Sequence, residues 1–265
     1  MNLMKIIIIL FVVLGLFSCS SKTENVKVDF LNKDTTFVYG ICESDSIGCV
    51  VIELSYIKLS GQSKSKFADS LNKAINQFLF ASPFTEDTNY SFETLKNSMI
   101  NDFENIKSEF QMTGVRYSYE RNISVALDTN DIFTLAFGGS DYFGGAHPNS
   151  FFGYTNFNKK TGSEIQLSEL LIPNFDEELD KIGEKIFRNE KDLRSDEDLT
   201  EAGYWFEDGK FALNRNYLIT PKSLIFIYNP YEIASYAEGF TEIEIGYDQI
   251  KSLIKKDGML ADFIH

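Results

Sequence analysis

Apolar and polar positions alternate with period two in some stretches of this chain and recur at three- and four-residue steps in others. The two periods divide it into strands and helices. Thr35 to Cys42 and Cys49 to Leu59 are β-branched and aromatic, with Val51, Glu53 and Ser55 set against Ile52, Leu54 and Tyr56, which predicts a hairpin. Ser60-Gly61-Gln62 breaks it. Phe67, Ala68, Leu71, Ile75, Phe78 and Leu79 then form one helical stripe over residues 65–81, ended by Pro83. A second helix is predicted over 91–112, with Phe92, Leu95, Met99, Phe103, Ile106 and Phe110 inward, Ser91 at its start and Gly114 beyond its end. Val115, Tyr117, Tyr119, Arg121, Ile123, Val125 and Leu127 share one face of a long strand, with a bulge expected near Arg121-Asn122. Asp128 to Asp131 turns the chain into a strand over 132–137.

Next comes a stretch rich in glycine and aromatics, Gly138 to Gly153, which holds His147. We read it as the hinge between two α+β units and as a candidate contact face. Beyond it the pattern predicts a strand over 151–157, a turn at 158–162 and a helical turn at 168–171. An amphipathic helix follows over 174–189, with Phe175, Leu179, Ile182, Ile186 and Phe187 inward. Strands over 211–219, 224–229 and 240–245 and a closing helix over 247–254 complete the chain. The expected fold class is α+β, two subdomains, each a small, mostly antiparallel sheet packed with one or two helices. The expected boundaries are 35–139 and 140–258.

The N-terminus points to a compartment. Lys5 is the lone charge before an apolar run, Ile6 to Leu16, that is short for a bilayer span. Leu16-Phe17-Ser18-Cys19 follows, a small residue directly before cysteine. This is the pattern of a lipoprotein signal over 1–18, with cleavage before Cys19 and lipid on its thiol and new amino group; only a thiolate is nucleophilic enough to take the thioether. Residues 19–34, polar and mixed in charge, read as a tether. Ser20 follows the cysteine, not the aspartate that favours inner-membrane retention, so the expected location is the outer membrane, facing the periplasm, with surface display left open. In an oxidising compartment Cys42 and Cys49, flanking a turn-like hexapeptide, are expected to pair.

Composition narrows the partners. The net charge is −14 with 43% hydrophobic residues, so the chain fills a core and its surface repels phosphate backbones; nucleic acid is excluded as a partner. His147, with Asp141, Ser140 and Ser150 nearby in sequence, is the one residue that invites a catalytic reading, a hydrolase acting on wall material. No Gly-x-Ser-x-Gly elbow and no helical histidine pair accompanies it, and we assign no catalytic residue, metal or cofactor. The simpler role for His147 is to fix its loop by a hydrogen bond to main chain, with Pro148 stiffening the exit. Tyr142, Phe143, His147, Asn149, Tyr154, Tyr231 and Tyr236 are the candidate binding face, since aromatic faces stack and hydroxyls bond.

Three stretches carry a resemblance: Gly144-Gly145-Ala146-His147-Pro148; Asn156 to Gly162 with Leu167 to Leu171; and Tyr228-Asn229-Pro230-Tyr231 through Gly239. With them the chain resembles an extracytoplasmic domain family of undefined function, found in the outer part of lysozyme-sensing anti-sigma factors, in an accessory part of certain peptidoglycan deacetylases, and in Bacteroidetes-type lipoproteins. The resemblance implies a pair of α+β subdomains facing the cell wall and supplies no activity. The expected function is a lipid-anchored envelope binding module, its ligand a cell-wall glycan or a wall-acting protein such as a lysozyme. The rival readings are the His147 hydrolase and a structural lipoprotein without a small ligand.

Overall fold

The computed structural model describes residues 29–43, 48–60, 65–110 and 114–264. The signal over 1–18, Cys19, the tether as far as residue 28 and the tip of the cysteine turn lie outside the described residues. The fold is α+β with two sheets, each backed by helices.

The first sheet has five strands in sequence order, β1 (Asp29–Ile41), β2 (Gly48–Ser60), β3 (Arg116–Asp128), β4 (Ile132–Tyr142) and β5 (Asn149–Asn158). Neighbours pair antiparallel except β2 and β3, which run parallel because two helices carry the chain back between them. Those helices are α1 (Lys66–Phe80), whose cap Ser65 accepts from Ala68 N at 3.1 Å, and α2 (Phe92–Phe110). Phe67, Leu71, Ile75 and Leu79 of α1 and Leu95, Met99 and Phe103 of α2 share one buried core with Ile52, Leu54, Tyr117, Tyr119, Ile123 and Leu135 of the sheet. This core covers one face of the sheet; on the other face Glu53, Ser55, Glu120, Asn122 and Ser124 of β2 and β3 are exposed, while on β4 Thr134 is buried and Ile132 joins the core of the second unit. Cys42 and Cys49 are joined in a disulfide at the base of the first hairpin, their Cα atoms 4.9 Å apart.

The second unit holds a short helix α3 (Leu167–Leu170), helix α4 (Asp176–Glu190) and an antiparallel sheet of β6 (Tyr217–Ile219), β7 (Ser223–Tyr228) and β8 (Thr241–Gly246). At the start of α3 Glu169 Oε1 accepts from Gln166 N at 3.0 Å, the returning half of a capping box. Leu179 and Phe187 of α4 pack with Phe226, Ile243 and Ile245 in a second core.

The structure departs from the expected elements in six places. Residues 29–34, expected as tether, are the first half of β1, paired from Asp29↔Ser60 to Asp34↔Ser55; an exposed edge strand needs little hydrophobic pattern because only one side of it is paired. The Gly138–Gly153 stretch is no hinge. Gly138 and Gly139 lie inside β4, and β5 pairs with β4 along its length, so the first unit runs to Asn158 and not to 139. A Cβ on Gly138 would lie 2.7 Å from Asn122 Oδ1 and 3.1 Å from the Phe152 ring; one on Gly139 would lie 2.8 Å from the Phe151 ring. These glycines make room for large neighbours in the sheet and do not bend it. The bulge in β3 falls between Val125 and Leu127, not at Arg121-Asn122; Val125 at its start is 38% exposed, and Leu127 past it packs against the core of the second unit. Phe110, expected inward, is 61% exposed at the end of α2, about two turns past Phe103, the last buried residue of that helix. In the stretch expected as a strand over 211–219 only Tyr217–Ile219 pair; Leu213 N instead bonds Asp180 Oδ1 at 2.9 Å. Residues 247–254 form turns, not a helix, because their backbone is drawn outward: Leu253 O accepts from Ile172 N at 2.8 Å and Lys255 N donates to Leu170 O at 3.0 Å.

Candidate functional site

Strand β5 is the outer edge of the first sheet and the joint with the second unit. Among the described residues its far side pairs with main chain at one end, where Phe157 bridges to Glu164 and Asn156 O accepts from Ile165 N at 2.7 Å; along the rest its backbone is met by side-chain amides. Asn216 Oδ1 accepts from Tyr154 N at 2.9 Å and its Nδ2 donates to Phe152 O at 2.9 Å, while Asn229 Oδ1 accepts from Phe152 N at 2.7 Å. The amides imitate a neighbouring strand and blunt the edge. Deeper in the joint, Asn156, 4% exposed, accepts from Thr134 Oγ1 at 2.8 Å and donates to Tyr217 O at 2.8 Å.

Where the outer face of the first sheet meets the second unit, a groove of about 500 Å³ opens. Its floor is two cross-strand rows, Asn122–Gly138–Phe152 and Glu120–Ser140–Ser150. Tyr154 continues the floor along β5; Ile227, Phe240 and Glu242 of the second unit form the opposite wall. The rings of Phe152 and Tyr154 meet edge to face at 5.1 Å, and Phe240 is 47% exposed. Among the described residues neither Glu120 nor Glu242 has an ion-pair partner, and no lysine or arginine lines the groove. Burial pushes the Tyr154 phenol up, and the negative charge of Glu242 adds to the rise. A second hollow of about 260 Å³ extends the same face over Asp34, Thr36, Glu53 and Ser55 to Glu120. The outer face is therefore acidic, with aromatics at the groove end.

The candidate binding-face residues separate into four places. His147, Tyr231 and Tyr236 come together: the loop between β4 and β5 lays His147 on Tyr236, ring centroids 3.9 Å apart. His147 Nδ1–H donates to Pro148 O at 3.0 Å, the main-chain bond expected of it, and in that tautomer Nε2 accepts from Tyr231 Oη–H at 3.0 Å. Tyr231 reaches this position with φ of 68°, a backbone conformation costly for a tyrosine. The cluster is a clasp across the two units. Tyr154 is in the groove; Tyr142, half-buried, and Asn149, exposed, lie at the loop end of the β4–β5 hairpin, where Asn149 pairs with Asp141. Phe143 is no part of a face: it packs on Phe84 at 4.8 Å and Tyr117 at 5.3 Å in the first core.

The residues that would make a triad are engaged elsewhere. Asp141 forms a two-pronged pair with Arg121, at 2.7 and 3.1 Å, while Arg121 lies over the rings of Tyr119 at 3.5 Å and Phe151 at 4.7 Å. Ser140 and Ser150 line the groove. Among the described residues no group of three histidines, cysteines or carboxylates is placed to hold a metal ion, and no helix is long and apolar enough to cross a membrane.

Sequence reasoning missed Glu120, Asn122, Phe152, Phe240 and Glu242. The signal for the first two was present: they are the alternate positions of β3, polar where the inward set is apolar. Their juxtaposition with β8 had no local signal.

Two sheets joined through the edge of the first define a class, a paired α+β domain of undefined biochemical function. Residues 168–248 match the family model described as protein of unknown function (DUF3298), and residues 43–150 match the model described as deacetylase PdaC. No curated protein matches the chain. Among solved structures, a member of the DUF3298 family from Bacteroides fragilis NCTC 9343 superposes with a TM-score of 0.68 at 20% identity, covering 89% of this chain and 97% of that one. A DUF3298 family protein from Pseudomonas aeruginosa PAO1 superposes with a TM-score of 0.62 at 16% identity, covering 87% and 96%. Both likenesses are of fold.

Proposed function

We propose that this protein is a lipid-anchored binding module of the cell envelope, held at the outer membrane through Cys19 and facing the periplasm, and that it holds a cell-wall glycan chain in the groove between its two units. The observation that carries the reading is the groove itself. Its size suits a few sugar rings, its aromatic wall of Phe152, Tyr154 and Phe240 offers faces for stacking, and Asn122, Ser140 and Ser150 offer hydrogen bonds to ring hydroxyls and amides. The likeness of residues 43–150 to a family named for a deacetylase is consistent with such a ligand.

The test is co-sedimentation of the detergent-purified full chain with purified sacculi. Binding that falls at least tenfold in Phe152→Ala and Phe240→Ala, persists in His147→Ala, and releases no muropeptides is the expected result. Absence of binding overturns the reading. Muropeptide release that His147→Ala abolishes would make the protein a hydrolase. The acidic outer face of Asp34, Glu53 and Glu120 favours a second reading, a basic wall-acting protein such as a lysozyme as ligand. That reading predicts capture of lysozyme that high salt abolishes and Phe240→Ala leaves intact.

A further inference from the structure

The chemistry of the groove goes further than its size, and the following rests on the glycan reading just given. A groove built for a neutral, N-acetylated sugar would balance donors and acceptors. This one places one carboxylate on its floor, Glu120 from β3, and one on its wall, Glu242 from β8, with aromatic rings beside them and no cationic side chain in its lining. Arg121 and the two lysines that follow β5 are committed elsewhere. Arg121, the neighbour of Glu120 on β3, points to the opposite face of the sheet, where Asp141 holds it. Lys159 and Lys160 pair with Asp128 and Asp131 at the far end of the β3–β4 hairpin. Two carboxylates without ion-pair partners, facing a half-enclosed space beside apolar rings, favour a ligand that brings its own positive charge: the rings lower the local polarity and strengthen the attraction. The groove, not the charge alone, defines the site; the carboxylates set which sugar it prefers.

We infer that the groove selects amino sugars bearing a free ammonium group, that is glycan from which N-acetyl groups have been removed, over fully N-acetylated glycan. The ring of such a sugar stacks on Phe152 or Phe240, and its ammonium lies between Glu120 and Glu242. An acetylated nitrogen at the same place is neutral and bulkier, and leaves both carboxylates unanswered.

The experiment is calorimetric titration of the full chain in detergent with two pentasaccharides, one of N-acetylglucosamine and one of glucosamine, at a pH where the free amine is protonated. The expected preference for the amine form is about tenfold, the sum of two modest charge contacts. Glu120→Gln with Glu242→Gln should erase the preference by weakening binding of the glucosamine oligomer about tenfold, while Phe240→Ala should weaken both. Raising the pH above the amine's pKa should also remove the preference. Equal affinity for the two oligosaccharides overturns the selectivity and leaves the glycan reading standing; no binding of either overturns both. A sugar-free polyamine that competes as well as the glucosamine oligomer would show attraction by charge alone and overturn the selectivity as well.

Discussion

Replacing Asn156 with alanine tests whether the two sheets are one cooperative structure. The side chain is 4% exposed and works in three directions: it accepts from Thr134 Oγ1 at 2.8 Å, donates to Tyr217 O at 2.8 Å, and receives Ile219 N at 3.4 Å. Thr134 and Ile219 are fully buried, so water does not easily replace what is lost. Each buried group left without a partner costs about 1–3 kcal/mol, and the long third contact counts for little. The sum is about 3 kcal/mol, a fall in melting temperature of roughly 6–12 °C for a chain of this size. Asn216→Ala removes a similar number of contacts, but at a half-buried site where water can substitute, so it should cost about 1 kcal/mol. Urea unfolding followed by far-UV circular dichroism and by the fluorescence of the single tryptophan, Trp205, reads both sheets, since Trp205 belongs to the second unit. The two probes should move together in wild type and in Asn156→Ala. A loss below about 1 kcal/mol would mean the joint is wet, and separate transitions for the two probes in wild type would refute the coupling.

Breaking the disulfide with Cys42→Ser and Cys49→Ser should cost about 2–3 kcal/mol, the chain-entropy value for so short a loop, read from urea midpoints with and without reductant. Tyr119, whose hydroxyl donates to Leu79 O at 3.2 Å and Ala81 O at 3.1 Å, is pushed up to about 12 by burial. The unfolded chain therefore loses this proton first as pH rises past the usual tyrosine value near 10, so stability is full below that pH and declines between about 10 and 12. Burial also raises Tyr217, Tyr228 and Tyr247. Phenolate absorbance of these tyrosines should thus appear together with loss of circular dichroism, and Tyr119→Phe should flatten the alkaline decline; free titration of all tyrosines near pH 10 in the folded protein would contradict it. Cys19→Ala should leave the membrane fraction on cell fractionation, and a variant as firmly bound as wild type would remove the lipid-anchor proposal.

What the sequence determined is local. The stripe of Phe67, Leu71, Ile75 and Leu79 specifies a helix and its buried face without reference to anything else, as does the alternation of Tyr117, Tyr119, Arg121 and Ile123 on β3. The α+β class, the pairing of Cys42 with Cys49 and the loop-fixing bond of His147 followed from such short-range patterns. What the tertiary structure alone decided is long-range. Whether β5 belongs to the first sheet or the second depends on pairing with β4, and the glycines that resembled a hinge are glycines because Asn122, Phe151 and Phe152 crowd them from neighbouring strands. The groove depends on Asn216 and Asn229, 62 to 77 residues beyond the β5 residues they bond, clamping its edge and bringing Phe240 and Glu242 opposite Glu120. Side-chain periodicity reports which face of an element is buried; it carries no record of which element lies across from the face left open.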